Sequence, residues 1–226
     1  MLAFAGGAVN AGAYLACERF VTHVTGTVTR VGLDTGAWRL MLDYFVVLLC
    51  FVAGAATSVL ALDGRRHRGK RALWTLPLAF VGAILIAIAA AGSFGVFGAF
   101  GGSVEQPADF FLLSVLAFAM GLQNAAVATT TGLAVRTTHM TGPATDFGVH
   151  LATAYFAEGE SRRNALRGAL LRGGKIVSFA IGAAAMVPVA RSAGYAGFLL
   201  PAAAVFVATA LSFVEPVTTR ETVGGN

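Results

Sequence analysis

The chain has 226 residues, of which 57% are apolar and 12% charged, with a net charge of +5. Soluble domains run at about 45–50% apolar and about 25% charged, so this composition excludes an ordinary water-facing surface. Its two cysteines, Cys17 and Cys50, exclude a disulfide framework and a cysteine-rich metal site.

About 20 apolar residues in a helix cross a bilayer. The first run, 2–17, is short but uncharged. It lacks the basic start of a signal peptide and carries Asn10, so it reads as a helix of the mature protein. The chain begins almost inside this run, which leaves room for native residues ahead of Met1. Further uncharged runs lie at 44–62, 74–94, 110–135 and 193–214. Residues 176–190, bounded by Lys175 and Arg191, borrow from the preceding stretch to make a span at about 168–190. Buried helices of a soluble protein would need solvated faces that these runs do not offer. The expected class is an all-α integral membrane protein with six transmembrane helices.

Basic residues gather on the cytoplasmic side of membrane proteins. One cluster is Arg65, Arg66, Arg68, Lys70 and Arg71; the other is Arg162, Arg163, Arg167, Arg172 and Lys175. The loop 96–109 carries acids and no base. Six spans place both basic clusters on one side and this loop on the other, so both termini, including the tail 215–226, are expected in the cytoplasm. Topology accounts for the basic segments, and no nucleic-acid partner is implied.

Residues 3–11 read AFAGGAVNA and residues 117–125 read AFAMGLQNA, identical at six of nine positions, Asn10 and Asn124 among them. A Thr-His-x-Thr-Gly pentad follows each: THVTG at 22–26 and THMTG at 138–142. Beyond the pentads Thr29 aligns with Thr145, and FVAGAA at 51–56 aligns with FAIGAA at 179–184. The chain is thus expected to be two three-helix repeats, 1–95 and 110–214. Three helices per copy make the copies inverted. Inverted repeats are a transporter architecture with the solute site between the halves, although duplication can also build a bundle that transports nothing.

Each pentad reads as a break after the first helix of its repeat, a broken or re-entrant segment followed by a short helix. The second short helix is expected over 143–157, with Thr141 or Gly142 as cap and Pro143 in its first turn; the first starts near residues 25–27. Helix starts offer free N–H groups to polar or anionic solutes. Candidate solute-binding residues are therefore Thr22, His23, Thr25 and Gly26 in the first copy, and Thr138, His139, Thr141 and Gly142 in the second. Each histidine could equally bond a neighbouring backbone group. Asn10 and Asn124, mid-helix amides, could fix a helix crossing against the opposite half or line the solute path. Arg30 and Asp34 are four apart, and their aligned positions Asp146 and His150 exchange the charges. Across a pseudo-two-fold, Arg30 could meet Asp146 and Asp34 could approach His150, as ion pairs or a proton relay. Ordinary i, i+4 pairs at the membrane edge are the plainer reading.

No phosphate-binding glycine loop, zinc-protease motif or hydrolase frame is present, so no catalytic residue, metal or cofactor is assigned and the chain is not expected to be an enzyme. The stretch GGAVNAG and the two pentads resemble the YoaK family of small multipass bacterial membrane proteins, a domain of unknown function. The resemblance covers most of the chain and implies six helices in a bacterial inner membrane. The very short N-terminus departs from that family's pattern. The function expected is a secondary transporter or facilitator of a small polar or anionic solute, proton-coupled through its histidines or Asp146. The alternative is a scaffold or regulator acting through its basic cytoplasmic loops. Partners expected are the lipid bilayer and the solute, with room for a homo-oligomer.

Overall fold

The computed structural model describes residues 1–33, 36–67, 75–102, 106–131 and 136–212. Among them the chain forms α1 (Leu2–Cys17), α2 (Val24–Leu33), α3 (Trp38–His67), α4 (Thr75–Ser93), α5 (Pro107–Thr130), α6 (Thr141–Phe156), α7 (Gly159–Ala193), a 3-10 turn (Gly194–Phe198) and α8 (Leu199–Leu211). Four stretches are long and apolar enough to cross a membrane: 38–62, 75–93, 107–129 and 159–211, the last combining α7, the turn and α8. Helix α1 is apolar but shorter. The chain is therefore a helical protein of membrane-spanning character.

Helix ends follow local chemistry more than hydropathy. Helix α3 begins at Trp38 rather than 44, and α7 at Gly159 rather than 168. Arg, Ala and Leu are good helix formers, so these helices run on through polar turns that hydropathy leaves out. At 35 residues α7 is about 52 Å long, longer than a hydrocarbon core of about 30 Å is thick. Helix α5 starts sharply: Pro107 takes the first turn, and the Asp109 carboxylate accepts the Gln106 N–H at 2.9 Å in a capping box. It stops at Thr130, short of the apolar run's end, and residues 132–135 lie outside the described residues.

Two helix pairs dominate the packing, α3 with α5 and α1 with α7. Each pair crosses at glycines that admit bare backbone. A Cβ on Gly7 would overlap the carbonyl of Phe179, and one on Gly182 the carbonyl of Phe4. In the other pair Gly54 abuts the carbonyl of Phe118, and Gly121 that of Phe51. All four helices carry the same Phe-x-x-Gly segment at the crossing. Such close approach is what holds helices together in lipid, where apolar burial drives little.

Helix directions follow from contacts along each pair. Met1 and Phe4 share a hollow with Gly174 and Val177, while Gly12 meets Met186, so α1 and α7 run parallel. Tyr44 packs on Phe110 with ring centroids 5.4 Å apart, and Gly54 lies against Phe118, so α3 and α5 also run parallel. Helices α1 and α5 run oppositely. Gln123 Nε2 donates to the Leu2 carbonyl at 3.1 Å, while Asp109, at the other end of α5, acts electrostatically on Cys17 at the end of α1. Two further sets of contacts correspond: α2 on α3 with α6 on α7, and α4 on α5 with α8 on α1. Helix α4 packs on α8, where Gly82 makes room for the Phe206 ring.

Candidate functional site

Each pentad is tied down by the asparagine of the preceding long helix. Asn10 Oδ1 accepts the backbone N–H groups of Val21 and Thr22 at 3.1 and 3.0 Å, and its Nδ2 donates to Thr22 Oγ1 at 2.7 Å. Asn124 repeats this with Thr137 and Thr138: its Oδ1 accepts their N–H groups at 3.0 and 3.1 Å, and its Nδ2 donates to Thr138 Oγ1. Thr137 Oγ1 adds a third donor to Asn124 Oδ1 at 2.7 Å. A chain turning back beside a helix leaves backbone donors without helical partners, and a buried amide oxygen satisfies two at once. The asparagines therefore bond within their own halves rather than across to the opposite one.

Histidine and glycine of the pentad work together at the start of the short helix. His139 Nε2 accepts the Gly142 N–H at 3.3 Å, capping α6. A Cβ on residue 142 would lie 3.0 Å from Nε2, a tight contact that the exposed ring would have to yield to. In the first copy a Cβ on Gly26 would lie 2.9 Å from His23 Nδ1. The second threonine lies in the first turn of the helix: the Thr25 carbonyl accepts Thr29 Oγ1 at 2.9 Å, and the Thr141 carbonyl accepts Thr145 Oγ1 at 3.1 Å. Helix α6 opens at Thr141 with Met140 as its cap, and α2 at Val24, one residue ahead of the expected start. Side-chain bonds to local backbone outcompete the threonine cap that sequence suggests.

The two pentads, 116 positions apart, line one cavity of about 630 Å³. From the first half come Asn10, Thr22, His23 and Thr25; from the second Asn124, Thr138, His139 and Thr141. Phe51, Ala55 and Val59 of α3 and Phe179 of α7 form its apolar wall. Phe20 and Arg136, which occupy aligned positions two residues ahead of each pentad, both line it. Phe20 stacks on Tyr14 at 4.7 Å and meets the His23 ring edge-on at 6.2 Å.

Sequence reasoning passed over Arg136, the charged side chain of the lining, because it follows an apolar run and has no charged counterpart in the first copy. Lys175 of α7 was also missed as a site neighbour. It donates from Nζ to the His139 carbonyl at 2.6 Å and lies within electrostatic reach of Arg136. Gln123, a sequence difference from Val9, turns out fully buried and ties the second break to the chain start, through Thr137 Oγ1 at 2.9 Å and the Leu2 carbonyl.

The charge exchange works out differently from the sequence reading. Asp146 pairs with Arg172 at 3.3 Å, not with Arg30. The His150 ring packs over Gly168 of α7. Both contacts join α6 to its own neighbour α7, because that is where α6 docks. Asp34 lies outside the described residues, and Arg30 is exposed on α2. Among the described residues no group of three or more His, Cys, Asp or Glu comes together that could hold a metal ion.

Helices long and apolar enough to span a membrane, with a hollow of mixed polar and apolar lining between two corresponding chain breaks, define a helical protein of membrane-spanning character. Over residues 1–212 the chain matches the family described as "Protein of unknown function (DUF1275)", and it belongs to that family. No curated protein and no solved structure matches it.

Proposed function

We propose that the protein is a secondary transporter or facilitator of a small polar solute, built as six spans in two inverted three-helix repeats. The observation that carries this reading is the cavity of about 630 Å³ lined by both pentads. It lies within the range of about 300–1,000 Å³ usual for ligand sites. A scaffold acting through its basic loops has no use for such a space and would pack its pentads dry.

Three features support inversion. Helices α1 and α5, which open the two copies, run in opposite directions. Each long pair takes one helix from each half, and the contacts come in matching sets. The arginine-rich start of α7 suits a cytoplasmic face. On this reading the protein sits in a bacterial inner membrane with both termini inside, and the narrower likeness to YoaK proteins belongs to the same account. It works by carrying its solute and not by catalysis.

The pentads then have a double role. Their histidines and glycines hold the short helices in place, and the same residues present polar groups to the space between the halves. A break in the backbone at membrane depth is tolerated where protein or a wet cavity covers it. Proton coupling would fall to His23 and His139, which line the cavity; Asp146 is engaged with Arg172.

The test is solute entry into vesicles reconstituted with the full chain, using a panel of small solutes, with His23→Ala and His139→Ala checked first for an intact fold. Entry of at least one solute is expected, and both substitutions should slow it. Insensitivity of every solute to both changes would remove the pentads from the site.

A further inference from the structure

We propose that the cavity is built for a small organic monoanion, a carboxylate or sulfonate on an apolar body. This rests on the solute reading above and names the class of solute.

Most polar groups at the pentads are set as donors, while Thr129, whose hydroxyl gives its proton to the Ala125 carbonyl at 2.7 Å, adds an acceptor to the lining. The amide oxygens of Asn10 and Asn124 are filled by backbone N–H groups, and His139 Nε2 is filled by the Gly142 N–H. With Nε2 accepting, the neutral His139 ring carries its proton on Nδ1 and can donate from there. Thr22 and Thr138 each accept an amide N–H from their asparagine, which leaves each hydroxyl its own proton to give. Both hydroxyls come from residues lining the space. A hydroxyl that already accepts one bond is polarised as a donor by it.

Charge points the same way. Arg136 lines the cavity, and among the described residues no aspartate or glutamate does. Arg136 makes no ion pair with a described residue, and Lys175 stands close enough to act on it electrostatically. A guanidinium unopposed by acid suits one carboxylate or sulfonate, which it can hold through two parallel bonds. Among the described residues a single Arg or Lys lines the cavity, which matches one negative charge and disfavours inorganic phosphate with its higher charge. Phe51, Ala55, Val59 and Phe179 in the lining offer no polar side chain to a fully hydrated ion, but they fit an apolar body.

The experiment has two arms. In the first, the detergent-purified full chain is titrated calorimetrically with benzoate, benzyl alcohol, benzylammonium and inorganic phosphate. Benzoate should bind saturably and the other three should not. Arg136→Gln should weaken benzoate by about tenfold or more, the loss of one charge-assisted pair. Arg136→Lys should fall between, since ammonium keeps the charge and loses the fork. Should Arg136→Gln fail to fold, Arg136→Lys and Thr22→Val carry the same comparison. Benzyl alcohol or benzylammonium binding that is saturable and blind to Arg136 would overturn the monoanion while leaving a solute cavity. Phosphate binding in preference to benzoate would overturn the organic body.

The second arm follows benzenesulfonate, which stays charged and does not leak through lipid, into vesicles. Benzoate binding without benzenesulfonate entry would leave this inference standing and remove transport. Neither binding nor entry would overturn both.

Discussion

Asn124 holds Thr138 through two bonds, its oxygen taking the Thr138 N–H and its nitrogen donating to the Thr138 hydroxyl, while the same oxygen takes the Thr137 N–H. Asn10 does the same to Thr22 in the other half. The pentad therefore never acts alone; its shape is set by an amide in a helix 12 or 14 residues earlier.

Removing that amide strands buried backbone donors. Asn124→Ala should cost about 2–4 kcal/mol, since each unsatisfied buried group costs about 1–3. Asn10 is only part-buried, so water can replace some of its bonds and Asn10→Ala should cost less. Thermal unfolding of both variants in one detergent checks the order.

The crossing glycines give a sharper contrast. Gly7→Ala and Gly121→Ala put a methyl group into a facing carbonyl and should each destabilise by about 3 kcal/mol or leave the protein unfolded. Gly148→Ala, on α6 where a Cβ meets nothing within 4 Å, should be neutral or stabilising by up to about 1 kcal/mol through helix propensity. Expression yield and melting temperature separate the two outcomes.

Much of this was legible in the sequence. The repeat, the paired asparagines and the pentads are visible because the same residues recur in the same order in both copies, with two extra positions between asparagine and pentad in the second. That the crossing segments of α1, α3, α5 and α7 all read Phe-x-x-Gly is equally visible, and it signals which four helices meet. The partner of a charge was not legible. Spacing places Asp146 on a face of α6, but only the docking of α6 on α7 decides that this face meets Arg172. Arg136 was hidden for a related reason: as a loop residue it belongs to no periodic face, and only the fold brings it to the cavity. The starts of α3 and α7 were missed because hydropathy reports the apolar middle of a helix and is silent on its polar turns.

His139 and Gly142 should be energetically coupled. Gly142→Ala pushes a methyl group toward the ring and should destabilise the parent protein. In a His139→Ala background the same change should be neutral or favourable. A double-mutant cycle on melting should return a coupling of about 1–2 kcal/mol, in the range for residues in contact.

The Asp146–Arg172 pair should matter little. Its side chains are 53% and 28% exposed, and exposed pairs contribute less than about 1 kcal/mol. Asp146→Asn should change melting only slightly, and Arg30→Ala should leave it unchanged. A large, coupled loss from Arg30 and Asp146 together would restore a pairing between the halves.

The central claim is that pentads from both halves face one cavity. In a chain with Cys17 and Cys50 replaced by alanine, Thr25→Cys and Thr141→Cys can be offered a short bismaleimide, with mass spectrometry of the digested product as readout. The account predicts a cross-link within one chain joining the two peptides, together with loss of solute entry. Thiols that each react singly and are never joined within a chain would contradict it.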